Sequence, residues 1–314
     1  MRRAFLGLDT SCYTTSCALV GEDGNVEADV RMGLPVPRGE RGLRQSEAVF
    51  THLKQLPAVL ERAFGQAGPV SLLGVCASGK PVDAEDSYMP VFQAGVSFGK
   101  ALAVSGSTPF YLTTHQRGHL SAAEIGQTDL PGRHLAVHLS GGTTEILLRE
   151  GESIKRLGGT GDISAGQLLD RVGVELGAAF PAGPYMESLA EGGHASGRYP
   201  ASFREGRVSF SGAETAAMRD LRQETLTPEQ VAAELFDHLS RSLARLIRHW
   251  SEQTSAAAVL VTGGVASSAL LRNRLESRLG KSAPQLKLLF GKQEYAGDNA
   301  VGVARIGLNR LLNE

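Results

Sequence analysis

Apolar β-forming residues separated by glycine and aspartate punctuation open the chain. In "AFLGLDTSCYTTSCALVGEDGNVEADVRM", Ala4 to Met32, two apolar runs flank a hydroxyl-rich turn and a third follows Asp23-Gly24, which predicts an antiparallel meander carrying a polar loop. The organisation recurs about 130 residues later in "RHLAVHLSGGTTEILLREGE", where Leu135 to Leu139 predict a strand, Ser140 to Thr144 a turn and Glu145 to Leu148 the return strand; two such hairpins suggest an internal duplication.

Between them the period changes. Val49, Leu53, Leu56, Val59, Leu60 and Phe64 recur at helical spacing despite Pro57, "VSLLGVCAS" is a short buried strand, and "VFQAGVSFGKALAVSGS" is a helix of small and apolar residues. The strongest helical pattern is "LTPEQVAAELFDHLSRSLARLIRHWSEQ". Thr227 is its N-cap, Pro228 suits the first helical position, Gln230 completes a capping box, and Val231, Leu235, Leu239, Leu243, Leu246 and Trp250 line one face. It leads into "AAAVLVTGGVASSALLRNRLESRLG", an apolar strand ending in Gly263-Gly264 before another helix, the pattern of a phosphate or nucleotide crevice. Strands alternating with helices predict an α/β protein in two halves with a cleft between them.

Composition narrows the class rather than the function. Of 314 residues, 42% are hydrophobic and 21% charged, with 32 basic against 33 acidic side chains, so a disordered or strongly basic protein is excluded. A local basic run at Arg38, Arg41 and Arg44 is either a patch or a solvated face. Cys12, Cys17 and Cys76 have no metal-type spacing, and their odd number argues against a disulfide framework and for a reducing cytoplasm. The apolar run near the N-terminus stops at Asp9, too short for a signal-peptide core, and no segment is long and apolar enough to predict a membrane span.

Three loops and one pair of histidines carry the candidate chemistry. Ser140-Gly141-Gly142-Thr143-Thr144 can bring backbone N–H groups and hydroxyls to one volume without side-chain bulk. Asp9, Thr10, Ser11, Thr14 and Thr15 stand at the corresponding place in the first hairpin. With Gly263-Gly264 they make the set that a two-lobed ATP cleft needs, although each alone is a common turn. His115 and His119 lie one turn apart on a predicted helix, so both imidazoles can reach one ion, with a third ligand required from elsewhere. Asp298 reads equally as a helix N-cap, His138 as a core histidine bonded to backbone, and Asp170 either as an acceptor for ribose or substrate hydroxyls or as a solvated carboxylate. "VSFSG", Val208 to Gly212, carries no interpretation by itself.

The ordered set "GLDTSC", "HQRGH", "LSGGTTE", "AGQLLDRVG", "FPAGP", "VSFSG", "VTGGVASSALLR" and "GDNA" resembles the TsaD/Gcp family, formerly described as O-sialoglycoprotein endopeptidases, over nearly the whole chain. The resemblance implies a duplicated actin/Hsp70/sugar-kinase-like fold. Its N-terminal lobe would be residues 1–130 with 297–314, its C-terminal lobe residues 131–296, and a nucleotide cleft would lie between them. It implies transfer of a threonylcarbamoyl group from threonylcarbamoyl-AMP to N6 of adenosine 37 in ANN-reading tRNAs. It further implies iron or zinc (Fe2+ or Zn2+) at His115, His119 and Asp298, with His138 added where archaeal relatives place a tyrosine ligand, and adenylate contacts at His138, Leu139, Ser140, Gly141, Gly142, Asp170, Gly183 and Ser268. Asp9 is the candidate catalytic group; Thr10, Ser11, Thr143, Gly263 and Gly264 complete the nucleotide and substrate set. ATP, AMP or the adenylate is the expected ligand, tRNA the acceptor, and a homodimer or a heterodimer with another protein of the fold a possible assembly.

Four departures from the family pattern mark a divergent paralogue. Tyr13-Thr14 replaces the usual acidic pair, Ser268 the usual asparagine and Glu214 the usual lysine, and "SGKPVDAEDSYMP" replaces the "RGPG" loop. The main expectation is a metal-dependent transferase in which an amine displaces AMP. The alternative is a non-catalytic nucleotide-binding partner that regulates another member of the fold. A metallopeptidase fits poorly, since Gln116 stands where H-E-x-x-H has its glutamate.

Overall fold

The opening meander forms as its apolar runs and turn residues predict: β1 (Arg2–Thr10), β2 (Thr14–Gly21) and β3 (Val26–Gly33) pair antiparallel in sequence. A computed structural model of the chain describes residues 2–11, 13–35 and 43–314. Arg38 and Arg41 of the basic run, and Cys12, lie outside the described residues. Cys17 and Cys76 are buried free thiols, and burial raises the pKa of both, that of Cys76 to about 12, which makes them inert packing groups.

The chain divides into two compact units, Met1–Ile125 with Gly297–Glu314, and Gly126–Ala296. In the first, α1 (Gln45–Ala67) follows the meander, β4 (Val70–Lys80) joins β1 in parallel, α2 (Phe92–Gly106) crosses over, and β5 (Phe110–Thr114) extends the sheet beside β4. Next comes α3 (His115–Ala123), and the chain later returns to this unit as α9 (Val301–Asn313). Leu6, Leu8, Leu19, Val30, Leu56, Val59 and Val75 are buried at the centre of this unit.

The second unit repeats the plan. β6 (Arg133–Leu139), β7 (Thr144–Glu150) and β8 (Ser153–Thr160) form the meander, followed by α4 (Ala165–Glu175), α5 (Gly183–Glu191), the short strands β9 (Phe203–Arg204) and β10 (Arg207–Val208), α6 (Ser211–Arg222) and α7 (Pro228–Thr254). Then β11 (Ala258–Thr262) joins β6 in parallel, and α8 (Ala269–Ser282) leads to β12 (Lys287–Phe290). The sheet orders are β3-β2-β1-β4-β5 and, read from the same end, β9-β10-β8-β7-β6-β11-β12. Apart from the β9–β10 extension the two orders correspond strand for strand, with the same parallel and antiparallel senses. The duplication read from the two hairpins thus extends through both sheets.

Helix α7 carries its predicted capping box, in which the Thr227 hydroxyl accepts from Gln230 N and the Gln230 side chain accepts from Thr227 N, a motif worth about 1 kcal/mol. Its predicted apolar face is buried from Val231 to Leu246, and Trp250 ends it half-buried, donating from Nε1 to the Gly206 carbonyl at 3.0 Å.

Helix α9 sets the site of the first unit. It packs on β1 and on α3, and the approach is close enough that a Cβ on Gly302 would lie 1.9 Å from the Gly118 carbonyl oxygen. This crossing brings the segment just before α9 against the helix that holds the histidine pair.

Candidate metal centre and loop site

His115 opens α3, whose N-cap Thr114 accepts a hydrogen bond from Arg117 N at 3.2 Å. Because His115 and His119 sit one turn apart, their Nε2 atoms approach to 3.0 Å. Asp298 Oδ1 lies 3.6 Å from the first and 3.3 Å from the second. Two ligands about 2.0–2.1 Å from one ion at angles of 90–110° are about 2.9–3.4 Å apart; two of the three separations fall in that range and the third, 3.6 Å, is slightly wider, so a small adjustment brings the three atoms to one cation. Among the described residues these three are the group of His, Cys, Asp and Glu close enough to hold one.

The surroundings fix the orientation of the donors. Asp9 is fully buried, and its two carboxylate oxygens each lie 3.0 Å from His115 Nδ1. A carboxylate only accepts, so Nδ1 carries a proton, and Nε2 is the ring atom turned to His119 and Asp298. Ser11 Oγ donates to Asp298 Oδ2 at 2.7 Å, leaving Oδ1 for the histidines. The Ser11 carbonyl accepts from His52 Nε2 at 2.7 Å, and His52 Nδ1 lies 2.7 Å from the Thr15 hydroxyl. Burial lowers the pKa of His52 against the opposing Ser11 hydrogen bond and Asp9 charge, which keeps the ring neutral. The sequence offers no signal for this residue, which reads there as one polar position on α1.

Burial disfavours a charged His115, but the Asp9 charge and the bonds to Asp298 and Asp9 outweigh it and raise its pKa well above the ordinary histidine value. Burial disfavours a charged Asp298 as well, and the bonds to His115 and His119 outweigh that, holding its carboxyl well below the usual range. A cation binding here displaces the proton from His115.

The N-cap reading of Asp298 does not hold: the cap position of α9 is Ala300, and it is Asn299 whose side chain accepts from Val301 N, at 3.1 Å. The hydroxyl of Thr10 is occupied by packing, donating to the Val91 carbonyl at 2.9 Å and accepting from Gly95 N at 3.2 Å. Tyr13, where the family pattern has an acid, is 51% exposed. The replaced loop reaches α3 as well: Pro81 O accepts from Gln116 N at 2.9 Å, and Arg117 Nε donates to both Asp83 oxygens at 2.8 and 3.0 Å.

His138 belongs to the second unit, where it is buried on β6 with Nδ1 3.8 Å from Glu145 Oε1. Leu139 beside it is buried, and the turn that follows closes through Ser140 N to Thr143 O at 2.8 Å and Thr143 N to Ser140 Oγ at 3.0 Å. Gly141 and Gly142 are exposed, and a Cβ on either would meet nothing within 4 Å. Helix α4 docks beneath this turn: Ser164 Oγ donates to Gly141 O at 2.7 Å, Ala165 N to Thr144 Oγ1 at 2.8 Å, and Gly166 is so close that a Cβ would lie 2.5 Å from Gly141 Cα.

The other predicted contacts follow outward from there. Asp170 on α4 is not solvated: it is 9% exposed and its Oδ1 accepts from Ala182 N at 2.7 Å, which sets it against Gly183 at the start of α5. Burial raises its carboxyl pKa despite that bond. Glu187 on α5 accepts from Leu270 N at 2.8 Å, joining α5 to the first turn of α8, whose N-cap is Ser268. Gly263 closes the circuit, since its φ of +103° and a Cβ position 2.3 Å from the Leu139 carbonyl oxygen admit glycine alone, while Gly264 is exposed. The structure therefore gathers His138 to Thr143, Asp170, Gly183, Gly263, Gly264 and Ser268 along one connected path of the second unit, and Asp9, Thr10, Ser11, His115, His119 and Asp298 in the first. "VSFSG" acquires a role here, because Asp162 accepts from Ser209 Oγ at 2.6 Å, Phe210 N at 2.9 Å and Ser211 N at 3.0 Å, anchoring the start of α6. Glu214 on α6 pairs with Arg171 at 3.2 Å.

Two α/β units with one sheet order, each carrying a loop at the turn of its first hairpin, define the duplicated fold of the actin/Hsp70/sugar-kinase class. The HypF structure from T. kodakarensis shares it, with a TM-score of 0.64 at 14% identity over 99% of this chain and 48% of that one. Within that class the chain belongs to the TsaD family of tRNA N6-adenosine threonylcarbamoyltransferases, a transferase family whose model matches residues 46–305. A relative of that name from Treponema denticola is 30% identical over 98% of this chain and 92% of its own length. One from Thermus thermophilus is 34% identical over 95% and 90%. Among the described residues no helix is long and apolar enough to cross a membrane.

Proposed function

We propose that this chain transfers a threonylcarbamoyl group from threonylcarbamoyl-AMP to N6 of adenosine 37 in tRNA, using a divalent cation held by His115, His119 and Asp298. The observation that carries the reading is the convergence of two imidazole nitrogens and one carboxylate oxygen, all within 4.8 Å of one another, in a member of this family. A nitrogen-and-carboxylate donor set suits iron or zinc. Bound there, the ion supplies Lewis acidity toward an oxygen of the adenylate.

The residues of the chain do the rest. In the turn at Ser140 to Thr143 the exposed Gly141 and Gly142 would offer their backbone to the phosphate, and Gly264 with the start of α8 would offer backbone to the nucleoside. The adenosine amine forms a bond to the carbamoyl carbon, the bond from that carbon to the phosphate oxygen breaks, AMP leaves with its electron pair, and the amine proton passes to solvent. Incubating the protein with threonylcarbamoyl-AMP and unmodified tRNA tests this directly: AMP and modified adenosine should form in equal amounts, and His119→Ala should lose bound metal by elemental analysis and abolish both.

A second reading is favoured by Tyr13 and Glu214, which stand where the family pattern has an acid and a lysine. In that reading the chain binds the nucleotide and regulates a catalytic relative. Tight adenylate binding with no AMP release and no tRNA modification selects it over the first.

A further inference from the structure

The loop after β1 looks in sequence like a second phosphate hairpin, yet its side chains point to other work. Asp9 is fully buried, so it has no path to a substrate, and both its oxygens meet one ring nitrogen of His115. Ser11, two residues further on, spends its hydroxyl on the Asp298 oxygen that faces away from the histidines. The backbone between them is fixed from both sides, by Thr10 on the start of α2 and by His52 on the Ser11 carbonyl.

We propose that this loop is the outer frame of the metal donors: Asp9 sets the tautomer and tilt of His115, and Ser11 selects which oxygen Asp298 offers. Both are positioning residues and neither touches substrate. A buried carboxylate behind a ligating imidazole also makes that imidazole a stronger donor, and removing such a partner costs about 10–100-fold in metal affinity. One strand end thereby aligns ligands from two separate segments of the chain, α3 and the loop before α9. The inference rests on the reading that His115, His119 and Asp298 hold a cation.

The test is zinc affinity of the full chain, measured by competition with a chromophoric chelator, together with the ligand-field spectrum of the cobalt(II) form. Asp9→Asn should weaken zinc about 10–100-fold, and Ser11→Ala should weaken it about tenfold through the lost charge-assisted hydrogen bond. Asp9→Ala, which frees the imidazole to rotate, should also change the cobalt spectrum. Val30→Ala, a truncation in the core of the same unit outside this loop, should leave affinity and spectrum as in the wild type, and that separates positioning from loss of stability. Wild-type affinity in both Asp9→Asn and Ser11→Ala, with His119→Ala unable to bind, overturns the inference and leaves the metal site standing. Wild-type affinity in His119→Ala overturns the metal site and the inference with it. Should Asp9→Asn fail to fold, Ser11→Ala decides, and unchanged affinity there rejects the framing role.

Discussion

The hairpin loop of the first unit and that of the second occupy the same place in two sheets of the same order, yet they are built in opposite ways. In the first, Asp9, Thr10 and Ser11 are buried and each side chain is committed to a protein partner. In the second, Gly141 and Gly142 are exposed, with open space where a side chain would stand. Duplication preserves where the backbone turns and says nothing about whether side chains or peptide groups face the ligand. A hydroxyl-rich loop and a glycine-rich loop look alike as phosphate candidates, but only the glycines are exposed and leave open space around their backbone.

Substitutions can break or sharpen that contrast. The largest effect is expected at Gly263, which supports the second loop from below: Gly263→Ala forces a Cβ to within 2.3 Å of the Leu139 carbonyl oxygen at a φ of +103°, and the loss of stability should be about 2 kcal/mol or more by urea denaturation. Thr10→Val leaves the Val91 carbonyl and the Gly95 amide without their hydroxyl partner, at a cost of about 1–3 kcal/mol.

A smaller, pH-dependent effect belongs to Asp162 in the second unit. Burial disfavours its charge, but the bonds from Ser209, Ser211 and Phe210 outweigh that and hold its carboxyl below the usual range. A carboxyl with a depressed folded pKa contributes stability that is fully present above its ordinary value of 3.8 and is lost as the pH falls through the folded value. Denaturation midpoints of the wild type should therefore fall more steeply below about pH 4 than those of Asp162→Asn. The smallest effect on stability is expected at the second loop itself, where Gly142→Ala meets open space and should shift stability by no more than about 0.5 kcal/mol. The same substitution should weaken nucleotide binding in calorimetry, because its methyl group enters the open space at the exposed turn.

Much of this was legible in the pattern of the chain. Period and punctuation reveal the two hairpins, the capped helix that begins at Pro228 and the strand that ends in Gly263, since each depends on neighbours in sequence. The spacing of His115 and His119 predicts their convergence for the same reason. Asp298 was not placed by pattern, because its position depends on α9 crossing α3 at a contact that only glycine at 302 allows. His52 was unreadable too: it sits in the helix beginning at Gln45 and is fully buried, yet nothing in the spacing of that helix distinguishes a buried hydrogen-bonding histidine from a solvated one. Asp162 and "VSFSG" explain each other only when both are seen, since neither carries a periodic signal.

The return of the chain to its first unit through Gly297–Glu314 has a consequence for synthesis. A ribosome making this protein releases His115 and His119 early, but the carboxylate that completes their group emerges only after the whole of Gly126–Ala296 has been translated. Any nascent chain or shortened product that stops before Asp298 holds two imidazoles without their third donor. The three side chains of the group are therefore complete only once the entire second unit has been translated.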